Sequence, residues 1–478
     1  MSIPATAFPR SPTGRHPTIA PAALPAEPRP DRLMRAIAIM LFAYVWRIQD
    51  AFPILGKLQL PMLALAAALA MFAASRNPLR RVNLIRLPTT KLIAALLVIM
   101  IIGVPFSLWR GHSLLFMLKG FLPSVLFFVL IAASIRSIRD IEWYALMNLY
   151  GALTFATIVS LFFQVGRDGR LGNLIYYDAN DFALVMDCTI PFAVYFLGKG
   201  QKKSRRIVAA VALAMILTAI VKSGSRGGFI GLIAVALYVL LRYRAIPSRT
   251  RLAVTIAGVA LFLGFASGKY WEMMGTILHP TSDYNYTDTQ GRVEVWKRGV
   301  GYMLHNPIVG VGVAAYPIAE GNSDLSQQLA SEGRGFKWSV AHNSFLETGA
   351  ELGIPGLGVF VAMLLVTGLT LARISPRGRW APWISRREMA LAQMLIGVLI
   401  AYAVAGIFVS AEYFSYLYFT LALSVGLIKL VRMRAKSSPA VVPRINVRIA
   451  PRTPPAEQDL AWVRKSVESS FQGPPARR

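Results

Sequence analysis

The sequence predicts an all-α fold, a polytopic membrane bundle of about 12 transmembrane helices. Three observations lead there. Of 478 residues, 55% are hydrophobic and only 15% charged, and mean hydropathy is +0.51. A soluble domain cannot turn enough of that surface inward, and a disordered chain would not carry it. Apolar runs long enough to cross a bilayer recur near 33–48, 58–75, 92–109, 114–135, 143–165, 181–198, 207–222, 228–242, 252–268, 354–373, 389–410 and 414–431. Finally, the loops between them alternate in charge.

That alternation explains the formal net charge of +28, from 51 Lys and Arg against 23 Asp and Glu. Loops 76–91, 199–206, 242–251 and 373–388 and both tails are dense in Lys and Arg. The alternate set comprises 47–57, 110–113, 166–180, 222–227, 269–343 and 411–413; its long member holds six basic and seven acidic residues. By the positive-inside rule both termini are cytoplasmic and loop 269–343 is external. Loop 136–142 is neutral and uninformative. No basic-aromatic platform accompanies the charge, so membrane lipids and no nucleic acid are expected as partners. The expected organisation is a disordered cytoplasmic tail over 1–32, a membrane domain over 33–431 and a basic, Pro-rich cytoplasmic tail over 432–478, with a short helix at 456–470. Cys188 is the only cysteine, which excludes an internal disulfide and a thiolate metal cluster.

Ionisable residues are scarce inside the runs, Lys119 and Asp187 being the main ones, beside polar Gln164 and Gln393. An ion carrier places several there. No repeat of the span pattern is evident, which also disfavours an inverted-repeat transporter. The polar motifs sit instead at the external ends of the runs, and the long external loop is of a length that is usually functional. Within it Val293, Trp296, Val300 and Met303 share a helical face, predicting a helix flat on the membrane surface with Trp296 as its interfacial anchor.

Four segments carry chemistry. In Lys222-Ser-Gly-Ser-Arg-Gly-Gly228, glycines allow close backbone approach. A helix starting at about Phe229 would aim free N–H groups at the turn holding Ser225, Arg226 and Gly227, a site suited to phosphate. Alternatively Arg226 snorkels to lipid headgroups. In Asp288-Thr-Gln-Gly-Arg-Val-Glu-Val-Trp296, Arg292 opposes the helix dipole from the first turn, which an anionic ligand would resolve; an ion pair with Asp288 or Glu294 would resolve it too. In Ala341-His-Asn-Ser-Phe-Leu-Glu347, Ser344 and Glu347 read as a capping box, placing His342 just before a helix N-terminus. There the positive helix end favours neutral imidazole, a proton acceptor, with Asn343 able to orient the ring. The alternative is a structural histidine at a helix entry. This helix ends near Gly353-Ile-Pro-Gly356, where the chain turns into the next span. In Tyr176-Tyr-Asp-Ala-Asn-Asp181, Asp178 or Asn180 is the expected N-cap of the sixth span. His305 is expected to end the surface helix. No external group of His, Cys or carboxylates has ligand spacing, so neither metal nor cofactor is expected.

These strings resemble the O-antigen ligase and O-antigen polymerase family of bacterial polysaccharide enzymes. The resemblance rests on Ser223-Gly-Ser-Arg-Gly-Gly228, on Gly291-Arg292 with Trp296, on Asn306-Pro-Ile-Val-Gly-Val-Gly312 and on Ala341-His-Asn-Ser-Phe-Leu-Glu347. Nine residues then separate His342-Asn343 from Gly353-Ile-Pro-Gly356. It covers roughly 175–430. It implies a metal-independent, inverting glycosyltransferase of the inner membrane, with its active site at the periplasmic face. The donor would be a glycan on undecaprenyl pyrophosphate, held at the pyrophosphate by Arg226 and Arg292. His342 would activate the acceptor hydroxyl, with Ser225, Gly227, Asn343, Glu347 and Asp178 in support. The acceptor would be lipid A-core, a second lipid-linked repeat as in a polymerase of exopolysaccharide or O-antigen, or a protein hydroxyl as in an O-oligosaccharyltransferase. The reading from a different class is a small-anion transporter.

Overall fold

Taking a peptide backbone out of water requires internal hydrogen bonds, and a helix supplies them within one segment. Each of the twelve apolar runs accordingly carries a helix. A computed structural model describes residues 28–51, 55, 57–166, 169–172, 174, 177–279, 281, 283–374 and 384–437. The helices over the runs are α1 (Arg32–Tyr44), α2 (Leu60–Ala74), α3 (Pro88–Gly103), α4 (Arg110–Ser134, with a π-turn at Met117–Phe121), α5 (Ile138–Phe162), α6 (Ala179–Leu197), α7 (Lys203–Ser223), α8 (Arg226–Arg242) and α9 (Ser248–Phe265). After them come α10 (Gly268–Gly275), α11 (Tyr284–Thr287), α12 (Arg292–His305), α13 (Tyr316–Gly321) and α14 (Asp324–Ser331), all within the long loop. Then α15 (Ser344–Ala372), α16 (Arg386–Ala405) and α17 (Ser415–Ser437) complete the set. Among the described residues nine helices are long and apolar enough to cross a membrane. The other three over the runs, α1, α2 and α8, have 13, 15 and 17 residues. The architecture is that of a polytopic helical membrane protein. The tail residues 1–27 and 438–478, including the helix expected at 456–470, lie outside the described residues, as do 375–383 of the fourth basic loop.

Helix α6 is the hub: 89% of its apolar window is buried, against 6% for α9 on the rim. It packs against α7, α8, α16 and α5. Ion pairs gather the basic loops at one end of the bundle. Arg80 pairs with Asp31, Arg136 bridges Asp31 and Asp140, and Arg205 and Arg387 both meet Glu142. The neutral loop 136–142 thus organises this end: Glu142 pairs with arginines from two other loops, and Arg136 ties Asp140 to Asp31 of the N-terminal segment. Lys429 closes the C-terminus of α4, donating to the carbonyls of Ala132, Ala133 and Ile135.

At the other end of the bundle the long loop is folded onto α15. That helix turns sharply at Gly353 (φ 69°, ψ −175°), a region of backbone space open to glycine alone. The turn frees carbonyls, and the segment before α13 uses them: Val311 N–H donates to Ala350 O and Gly312 N–H to Glu351 O, while Ile354 N–H donates back to Pro307 O. The expected turn at Gly353-Ile-Pro-Gly356 is therefore present within one helical element.

Two features differ from the sequence reading. On α12, Trp296 does not stand free as an anchor. The buried residues of this helix are Val295 and Gly299, Val300 is 42% exposed, and the helix packs on α15. The Trp296 indole N–H donates to Ala341 O at 2.8 Å, a partner the lipid boundary would not fix. Also, Ser344 is not the cap of α15. Asn343 is, its side chain accepting from the N–H groups of Phe345 and Leu346.

A Cβ on residue 353 would lie 2.6 Å from Pro307 O, while one on Gly358 would meet nothing within 4 Å. Gly353→Ala should therefore cost about 1–3 kcal/mol and lower the melting temperature of purified protein in detergent. Gly358→Ala should leave it unchanged or raise it slightly.

Candidate functional site

The turn between α7 and α8 is built for closeness. Gly224 takes φ 61°, and Ser225 caps α8, accepting from Gly228 N–H at 3.0 Å. The helix therefore starts at Arg226, three residues before the expected Phe229. A Cβ on Gly227 would sit 2.7 Å from the side chain of Phe408, so glycine is needed for this approach. Ser225 also donates to Asn180 Oδ1 at 2.9 Å, tying the turn to the start of α6. Asp178 caps α6 in a capping box with Asp181. Arg170 donates to the same Asn180 oxygen at 3.2 Å.

Arg226 does not reach outward to lipid. Its guanidinium bonds Thr276 Oγ1 at 2.7 Å and pairs with Asp283, which caps α11. Burial works against the Asp283 charge, but the hydrogen bond from Arg226 holds its carboxyl below the usual carboxylate range. Arg292 is the first residue of α12, after Gly291 as N-cap. Neither acid expected as its partner serves it. Asp288 accepts from Gln290 N–H, and Glu294 pairs with Lys297. Among the described residues Arg292 makes no ion pair, so the conflict with the helix dipole stands. Burial pushes its pKa down.

His342 is held by its neighbour. Ala341 O accepts from Trp296, and Ala341 N–H donates to Glu347 Oε2 at 2.9 Å. With both backbone groups of residue 341 fixed, His342 adopts φ 49°, a left-handed conformation that costs a non-glycine residue about 1–2 kcal/mol. Asn343 is committed to capping, so it does not orient the ring. Ser344 donates to Val409 O at 2.7 Å and accepts from Ala411 N–H at 2.9 Å, locking the start of α15 to the loop before α17. Burial first, then the nearby Arg292 charge, lowers the His342 pKa to about 4, so the ring is uncharged at neutral pH.

Two adjoining cavities collect these groups. One, of about 250 Å³, is lined by Arg292 and His342 together with Arg170, Asp178, Tyr284 and Lys337. The other, of about 240 Å³, is lined by Arg226, Gly227 and Asp283 and shares Arg170, Asn180, Tyr284 and Arg292 with the first. Arg226, Arg292 and His342, separated by 66 and 50 residues, thus line one continuous pair of cavities. Ser225, Asn343 and Glu347 line neither of these two cavities; they bond Asn180, the first turn of α15 and Ala341 N–H respectively. Sequence reasoning missed Arg170, Tyr284, Lys337 and Asp283. None belongs to a local motif, and Asp283 is 57 residues from the arginine it pairs with.

This geometry falls largely inside a segment known from other proteins. Residues 209–361 match the family described as O-antigen ligase. The match supports the O-antigen ligase and polymerase family for this chain. A Haemophilus influenzae protein, described as uncharacterized, is 26% identical over 188 residues, which are 37% of this chain and 45% of that protein. The chain thus spans less than half the length of that relative.

Because the Arg292 charge is one cause of the His342 shift, Arg292→Gln should raise the His342 pKa. Burial keeps it below the free value of about 6.5. Titration of histidine side-chain NMR signals in labelled protein, with the His342 signal assigned by difference against His342→Gln, measures this.

Proposed function

We propose that the chain is a membrane glycosyltransferase of the O-antigen ligase and polymerase type, moving a glycan from a polyprenyl pyrophosphate, undecaprenyl pyrophosphate in bacteria, to a hydroxyl acceptor. The observation that carries this reading is the union of four cationic side chains, Arg170, Arg226, Arg292 and Lys337, with one neutral imidazole, His342, around two adjoining cavities. In the proposed reaction the acceptor oxygen bonds to the anomeric carbon as the bond from that carbon to the pyrophosphate oxygen breaks. The leaving group departs with the electron pair, and fixed guanidinium groups stabilise its growing charge. His342 takes the hydroxyl proton. Attack opposite the leaving group inverts the anomeric centre. Asp283 holds Arg226 in place and shares it with the incoming phosphate.

The donor also has a lipid tail, and one turn beyond Arg226 an apolar cavity of about 270 Å³ opens between α6, α7, α8 and α9. Ile190, Leu217, Phe229, Phe262 and Trp271 line it, which suits a polyprenyl chain. The charge pattern of the loops supports a reading in which this end faces the periplasm from the inner membrane and both termini are cytoplasmic. Lipid A-core, a lipid-linked repeat and a protein hydroxyl all present the required nucleophile.

His342→Ala should abolish glycan transfer in a null strain while the protein still inserts; wild-type surface glycan in that strain would overturn the base assignment. Arg226→Lys keeps charge and loses the bidentate fork, so purified protein should lose about tenfold or more in kcat/KM for the pyrophosphate donor. A small-anion carrier would give the reverse pattern, with transport lost in Asp187→Asn and retained in His342→Ala. In wild-type protein the acid limb of kcat/KM should reflect the low His342 pKa, with activity retained at pH 6 and lost toward about pH 4 as the imidazole protonates.

A further inference from the structure

A fourth cavity lies on the far side of the His342 segment. It measures about 320 Å³ and is lined by three carboxylates, Glu347, Glu351 and Glu412, with Phe116, Tyr413 and Phe414. Val340 belongs to its wall and to that of the cavity holding Arg292 and His342. Two of the carboxylates are spoken for. Glu347 accepts from Ala341 N–H and Ser410 Oγ. Glu351 accepts from the N–H groups of Ala314 and Tyr316 and from Tyr413 Oη. The third is not. Glu412 is 3% exposed, lines the cavity, and its Oε2 has no hydrogen-bond partner among the described residues. A buried carboxylate oxygen without a partner is costly, and a ligand donor relieves it.

We infer that this cavity is the acceptor subsite, that it takes an uncharged or amine-bearing sugar through its hydroxyl or amino donors, and that it rejects phosphorylated or carboxylated sugars. The inference rests on the transferase reading above and deepens it. Carboxylates accept from hydroxyls, and aromatic side chains give the ring faces an apolar wall. Neither lysine nor arginine lines the cavity; His112 is its one basic side chain. An anionic sugar would meet three carboxyl groups there and find neither lysine nor arginine to offset its charge. The neighbouring arginine-lined cavities have the opposite character. The two sides of Val340 therefore sort ligands by charge, phosphate to one and neutral saccharide to the other. No group of three or more His, Cys, Asp or Glu among the described residues is arranged to hold a metal ion, so the carboxylates do not read as a cation site.

The test uses the full-length protein in lipid nanodiscs and methyl hexosides carrying a photoreactive diazirine on the sugar. Labelled peptides should map to 110–120 or 410–414. Unmodified methyl hexosides and methyl aminohexosides should compete, and their 6-phosphates should not. Glu412→Gln and, on the facing wall, His112→Ala should each weaken labelling about tenfold, as expected for one lost ligand contact. Melting temperatures are measured alongside; where Glu412→Gln is unfolded, His112→Ala decides. Labelling that maps elsewhere, equal competition by the phosphates, or undiminished labelling of a folded variant overturns the inference. Native mass spectrometry of the same nanodiscs with undecaprenyl pyrophosphate separates the two readings. If the pyrophosphate binds and the cavity stays unlabelled, the subsite falls and the transferase stands. If the cavity labels and the pyrophosphate does not bind, the transferase reading falls and a saccharide site of this selectivity remains.

Discussion

Trp296 and Glu347 take hold of the same residue from two helices. One is on α12, which begins with Arg292, and the other on α15, which begins two residues after His342. Their common target, Ala341, is fully buried, and both its backbone groups are used. The spacing between guanidinium and imidazole is therefore set by hydrogen bonds from rigid elements. Such bonds are demanding, because a buried donor left without its acceptor loses the whole of its hydration with nothing in return. The same grip forces His342 into a left-handed backbone, so strain and placement come from one source.

A second organising influence is charge. The bundle gathers its ionic groups at both ends and leaves the middle nearly bare, as the low dielectric of a membrane demands. At one end arginines from four loops find acids and are neutralised. At the other, Arg292 makes no ion pair among the described residues and stands beside further cations, an arrangement that an entering anion would stabilise. Arg298 is the contrast. Six residues along α12 it is matched with Glu320, and Tyr302 shares that carboxylate, so it serves to hold α12 against α13.

Much of this was legible in the sequence. Apolar runs locate helices because backbone hydrogen bonding leaves the chain no other choice in lipid, and the cap at Asp178 and the turn at Gly353 announced themselves by residue type. Arg226, Arg292 and His342 stood out as polar groups at helix ends. Less visible was anything set by contact across long separations. Asp283 carries no local signal because the arginine it pairs with lies 57 residues away, on another helix. Trp296 read as a lipid anchor because the amphipathic pattern cannot tell a membrane from the side of a neighbouring helix. Ser344 read as a cap because its spacing to Glu347 fits one, yet the chain before α17 offers both side chains better partners, at Val409, Ala411 and Ser410.

The rim helix α9 is nearly devoid of interior surface, yet it forms one wall of the apolar cavity beside Arg226. A wall held by so few contacts yields first when something long and greasy presses in from the side. For the polyprenyl donor proposed above, this seam would be the doorway from the bilayer, and such a substrate would never have to leave the membrane to bring its headgroup to the arginines.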